Sequence, residues 1–113
     1  MLARANRVVR ADDYRATVRR GRRVGSAHTL MYIAARGTDE PSRFGFIVSK
    51  AVGNSVTRNL VTRRLRAIGR GALETHPTGR DVIIRALPGS PEASWSTLQS
   101  EILVGLERSA SNQ

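Results

Sequence analysis

Residues 53–70 read GNSVTRNLVTRRLRAIGR, with five arginines and no acid, in a chain whose single lysine is Lys50. Gly53-Asn54-Ser55 reads as a turn into a helix, with Asn54 or Ser55 as its cap and Gly69 and Gly71 at its end. At 3.6 residues per turn, Val61, Leu65, Ile68 and Ala72 fall on one apolar stripe, the side that faces a core. Asn59, Arg63, Arg66 and Arg70 fall on the opposite stripe, with Arg58 and Arg64 on the shoulders. Arg63 and Arg66 have no carboxylate three or four residues away. Their mutual repulsion, about 0.2–0.5 kcal/mol per like-charge pair, is left uncompensated. A solvated helix face usually mixes signs. This one favours a nucleic-acid backbone over plain surface, because arginine's planar fork binds phosphate through two parallel hydrogen bonds and stacks on bases. The free N–H groups after Asn54 and Ser55, beside Lys50, offer a second phosphate site.

Toward the N-terminus, residues 12–21 read as a short helix. Asp12 is its cap, Tyr14, Thr17 and Val18 share one side, and Gly21 stops it. GRRVGSA (21–27) reads as a basic loop. HTLMYIAA (28–35) alternates as a strand, with Leu30, Tyr32 and Ala34 on one face and Met31, Ile33 and Ala35 on the other. RGTDEPSR (36–43) has hairpin-loop punctuation, and FGFIVS (44–49) reads as the returning antiparallel strand, with Phe44, Phe46 and Val48 on one face. Past the arginine helix, HPTGRD (76–81) is a loop and DVIIRA (81–86) a third strand. PGSPEAS (88–94) is a loop in which Ser90 and Ser94 compete as caps. A last helix runs to about Arg108, its stripe of Trp95, Leu98, Ile102 and Leu106 facing the sheet, and the tail 109–113 frays. The order α-β-β-α-β-α predicts one α+β domain over residues 1–113, a small two-layer sandwich.

Charge divides the chain. Residues 1–70 carry 16 basic and 4 acidic side chains, net +12, and residues 71–113 carry 3 and 5, net −2. A basic face on so small a domain implies a polyanionic partner. An anionic membrane would need bulky aromatics on the apolar side of the basic helix, and residues 53–70 have none. No run approaches the roughly 20 apolar residues of a membrane span, the basic N-terminus lacks the apolar core of a secretory signal, and there is no cysteine. A cytoplasmic protein is expected.

Tyr14 and Tyr32 either stack on unpaired bases or are core residues with a surface hydroxyl; spacing leaves both open. His28 and His76 have no second ligand at metal spacing and read as surface histidines. Asp12, Asp13, Asp39, Glu40 and Asp81 do not form the converging carboxylates of a two-metal nuclease. No catalytic residue and no protein-held metal is expected.

SKAVGNSVTRNLVTRRLRAIGR resembles the signature of the bacterial ribonuclease P protein component, roughly S-K-K-x-G-N-A-V-x-R-N-R-x-K-R-x-x-R. Ser49, Lys50, Gly53, Asn54, Val56, Arg58, Asn59, Arg63 and Arg66 match it. NRVVRADDYRATVRRGRRV is similar to that family's opening N-R-L-x-x-x-x-D-F segment, LMYIAAR to its first strand, RFGFIVS to its R-x-G-x-x-V-S strand and DVIIRALP to its last strand. The resemblance implies the small subunit of a ribozyme, whose RNA subunit removes the 5′ leader of precursor tRNA with RNA-bound Mg²⁺. It implies a mainly antiparallel sheet with a left-handed βαβ crossover, against the usual right-handed rule, and one protein per RNA. By position, Lys50, Asn54, Arg58, Asn59, Arg63 and Arg66 would contact the catalytic RNA; outside the matched positions, Arg64, Arg70, Arg22 and Arg23 would make up charge lost where the chain departs from the pattern. Tyr14, Val18, Leu30 and Tyr32 would line a cleft for the single-stranded leader.

Four positions depart from the pattern. Leu60 replaces an arginine, Thr62 and Ala51 replace lysines, and Val18 replaces the cleft's second aromatic. A structural RNA-binding protein would share the basic face, a DNA-binding regulator would want two helices joined by a tight turn, and a protein nuclease would need the missing carboxylates.

Overall fold

The computed structural model describes residues 2–111. Helix α1 (Ala11–Arg20) leads into strands β1 (Arg22–Gly25), β2 (Thr29–Ala35) and β3 (Arg43–Ile47). A 3₁₀ turn at Lys50–Val52 opens helix α2 (Ser55–Ala72), strand β4 (Arg80–Ala86) follows, and α3 (Trp95–Ser111) closes the chain. The α+β sandwich and its element order are as expected, with one strand added: the basic loop after Gly21 is β1. Of its four residues only Val24 is buried, so no alternation announces it.

The sheet order is β1-β2-β4-β3. This corrects the expected hairpin, because β2 and β3 do not pair. β4 lies between them, antiparallel to β2 and parallel to β3, and β3-α2-β4 is the βαβ unit. The physical reason is the uninterrupted apolar run Val82-Ile83-Ile84, buried to 1% exposure or less. Such a run needs cover on both faces and both edges, which only a central position supplies.

The faces divide as the alternation predicts. Met31, Ile33, Phe44, Val82 and Ile84 meet Val61, Leu65, Ile68 and Ala72 of α2 and Leu98, Ile102 and Leu106 of α3. On the opposite face, Tyr32 and Ile83 gather Val8, Leu30, Ile47 and, from α1, Tyr14 and Val18. Trp95 leaves its expected stripe and is 43% exposed. It is the first residue of α3, and helical side chains tilt toward the N-terminus, so its ring projects past the turn that meets the sheet. α3 continues beyond Arg108 to Ser111, and Ser109 is buried, so the expected fraying does not begin at 109. Residues 112–113 of that tail lie outside the described residues.

Capping was half legible. Asn54 Oδ1 accepts the Thr57 N–H at 2.9 Å, and Ser94 Oγ accepts the Thr97 N–H at 3.1 Å. Arg10, not Asp12, is the N-cap residue of α1, and Asp12 instead pairs with Arg15. Gly53 has φ 155°, ψ −166°, a region essentially reserved for glycine, and this kink turns the 3₁₀ segment into α2.

One ion cluster ties the crossing together. Asp81, at the start of β4, receives Nε and Nη2 of Arg43, each at 2.8 Å, and Arg36 Nε lies 3.6 Å away. Arg43 opens β3 and Arg36 follows β2, so one carboxylate joins all three chain segments. The hydrogen bonds Arg43 donates to Asp81 raise the Arg43 pKa further above its already high value, against the lowering effect of burial. Asp81→Ala is expected to lower stability by about 2 kcal/mol, the range for a hydrogen bond to a charged group, measured by urea denaturation with an unchanged m-value.

Candidate nucleic-acid interface

The α2 face opposite the core is exposed at Asn59, Arg63, Arg66 and Arg70. Among the described residues none of these arginines makes an ion pair. Glu74, four residues beyond Arg70, does not pair with it. The sequence reading missed Val56, which begins the same stripe one turn earlier and is 76% exposed; its i−3 spacing from Asn59 was the available signal. Val56, Asn59, Thr62, Arg63 and Arg66 line a shallow depression of about 490 Å³.

The shoulders behave differently. Arg58 is half-buried, and its Nε is enclosed without a hydrogen-bond partner. Arg64 is half-buried and turns toward the loop before α3, its Nη1 3.5 Å from the Pro91 carbonyl. Structure therefore sets Arg64 apart from the Arg63–Arg66 stripe. Lys50 and Asn54 are exposed at the start of α2. Thr62 donates to the Arg58 carbonyl at 2.8 Å, so this lysine position of the family pattern folds back on its own helix.

Tyr14, Val18, Leu30 and Tyr32 do come together, around Val8, Ile83 and Ile47. They are unequal. Tyr32 is only 6% exposed, with the Arg23 guanidinium 5.9 Å from its ring centroid, so it forms a wall. Tyr14, Val18 and Leu30 are half-buried and reachable. The Tyr14 hydroxyl accepts the Phe46 N–H at 3.2 Å. Its ring lies so close over β3 that a Cβ on Gly45 would stand 2.7 Å from it, which is why the strand reads Phe-Gly-Phe. Arg7, Val8, Tyr14, Phe44, Phe46 and Arg66 line a second depression of about 240 Å³. Arg66 belongs to both depressions and joins the arginine face to the tyrosine site.

Four of the five acids weighed above are occupied elsewhere. Asp13 and Asp81 face Arg43, Glu40 faces Arg36 at 3.1 Å and Asp12 faces Arg15. Among the described residues no cluster of three or more His, Asp or Glu is placed to hold a metal. His28 is not a free surface histidine: its Nδ1 lies 2.6 Å from Glu101 Oε2. Burial, reinforced by Arg80, lowers the pKa of His76.

The family model for Ribonuclease P matches residues 2–110. This chain belongs to the Ribonuclease P family. The Ribonuclease P protein component of Clavibacter michiganensis subsp. michiganensis is 50% identical over 108 residues, covering 96% of each chain. That of Pseudarthrobacter chlorophenolicus is 50% identical over 107 residues, covering 95% of this chain and 79% of the relative. In fold, the RNase P protein of Staphylococcus aureus superposes with TM-score 0.80 at 23% identity, covering 94% of this chain and 96% of its own. The Thermotoga maritima RNase P protein gives 0.79 at 23% identity, covering 90% and 96%. Membership implies an RNA partner. No helix among the described residues is long and apolar enough to cross a membrane.

Arg63→Ala with Arg66→Ala is expected to reduce the slope of log K against log salt for RNA binding by about 1.4–1.8, as two phosphate contacts require. Both side chains are exposed and unpaired, so thermal stability should stay within about 0.5 kcal/mol. An unchanged slope would remove this face from the interface.

Proposed function

We propose that this chain is the protein subunit of a ribonuclease P ribonucleoprotein that removes the 5′ leader of precursor tRNA in the cytoplasm, one protein per RNA. The observation that carries the reading is the joint at Arg66. An unpaired arginine face and an aromatic-lined depression, suited to different RNA partners, share one residue on a family member. The α2 face, with Lys50, Asn54, Arg58, Asn59, Arg63, Arg66 and Arg70, neutralises phosphates of the catalytic RNA. Arg64 is peripheral to it. Tyr14, Val18 and Leu30, backed by Tyr32, hold the single-stranded leader, with Tyr14 the residue free to stack on a base.

The protein's own part is binding and orientation. Guanidinium groups reduce the repulsion between two RNAs brought side by side, and the tyrosine site fixes the leader relative to the RNA subunit. The described side chains do not fit a protein-held Mg²⁺, which takes carboxylate oxygens, because those nearest the cleft are bound to arginines. Mg²⁺ belongs in this reading to the RNA subunit, and no chemical step is assigned to this chain.

Cleavage of a precursor tRNA at low Mg²⁺ should need both the cognate RNA subunit and this protein. Cleavage by the protein alone, or no stimulation of the RNA, would overturn the proposal. In the assembled particle, Tyr14→Ala should weaken leader-bearing substrate about tenfold, for a stacking contribution of about 1–3 kcal/mol, and leave mature tRNA affinity unchanged. Equal loss for both would remove the leader from this cleft.

A further inference from the structure

Residues 2–10, read in the sequence as basic and, from Asn6 on, as the family's opening segment, are fastened to the fold. Leu2 is buried in the main core. Asn6 Nδ2 donates to the Ser42 carbonyl at 2.9 Å. Val8 donates to the Phe44 carbonyl at 2.9 Å, with Arg7 bridged to Phe44 in the parallel sense. Arg4 and Arg7 lie between these anchors and Arg10 is the N-cap residue of α1; the three recur every third residue and are exposed. None has a carboxylate partner among the described residues. A flexible tail would spread such charges apart, whereas this segment keeps them together against repulsion.

The three arginines line a groove of about 690 Å³ with Val9, which is 59% exposed. Arg36 and Arg43 form its other side, but Glu40, Asp81 and Asp13 already engage them. The unspent charge is therefore that of the N-terminal segment. At Arg7 and Val9 the groove meets the depression that holds Tyr14, and that depression meets α2 at Arg66. One basic track thus runs from the α2 face, past the tyrosine site, to Arg4 and Arg10.

We propose that Arg4 and Arg10 bind backbone phosphates of the leader, upstream of the nucleotides held at Tyr14. This rests on the leader reading above. The groove's lining has no aromatic residue, so it would grip phosphates without reading bases, and longer leaders would bind more tightly whatever their sequence. In this reading the α2 face packs on the catalytic RNA near where the leader is cut, so the groove, at the far end of the track, takes the leader nucleotides most distant from the cleavage site.

The test is fluorescence anisotropy of the free protein with single-stranded uridine RNAs of about six and about fourteen nucleotides, within the span of known single-strand sites, across a salt series. Arg4→Ala with Arg10→Ala should lower the salt slope for the longer RNA by about 1.4, two single-strand phosphate contacts, and leave the shorter one unchanged. Arg4→Lys with Arg10→Lys should restore most of that slope, which a structural defect would not. Equal loss for both lengths, or no loss for the longer, overturns the proposal. Loss of affinity for the catalytic RNA instead would assign the groove to that RNA and also overturn it. The oligonucleotide titration needs no RNA subunit, so it stays readable if the cleavage assay fails.

Discussion

β4 lying between β2 and β3 is the constraint on which the rest of the molecule depends. Its three consecutive buried residues serve both faces of the sheet, Val82 and Ile84 beneath α2 and α3 and Ile83 beneath Tyr14 and Val18. Asp81 fixes its start against both neighbours through Arg43 and Arg36. Because β3 and β4 are parallel, the chain must cross between them, and α2 is that crossing. The helix that presents the arginines is therefore also the helix that closes the core. Its apolar stripe sets how far the cationic stripe is rotated toward solvent.

Helix faces were legible because one period encodes them. Val61, Leu65, Ile68 and Ala72 are all buried, and Arg63 and Arg66 are all exposed, as a 3.6-residue repeat requires. Strand pairing was not legible in the same way. The turn-rich segment 36–43 has hairpin chemistry, but a connection of that length also reaches over one intervening strand, about 10 Å across two sheet spacings. The continuous Val-Ile-Ile run carried the deciding information and argues for a central strand. β1 stayed hidden because Val24 alone is buried there. The anchoring of the N-terminal segment stayed hidden because Asn6 and Val8 bond residues 42 and 44, far along the chain.

The candidate site divides along the same line. Which arginines face solvent follows from helical spacing, whereas Arg64 turning to the Pro91 carbonyl follows from a tertiary contact no spacing reveals. The grouping of Tyr14, Val18, Leu30 and Tyr32 came from family resemblance. What the structure adds is their inequality: Tyr32 is packed beneath Arg23, and Tyr14 is laid over Gly45. Family patterns name positions, and packing decides which of them a ligand can reach.

The outer border of β3 has a further consequence. Its Phe44 carbonyl is taken by Val8 and its Phe46 amide by the Tyr14 hydroxyl. At the opposite border, β1 carries Arg22 and Arg23, side chains that discourage a neighbouring strand. Two of the backbone groups that could template sheet-to-sheet aggregation are thus occupied at one border, and the other border is guarded by charge. In a protein carrying net charge +10, Tyr14, the residue proposed above to meet the leader, thus also covers part of an exposed sheet edge.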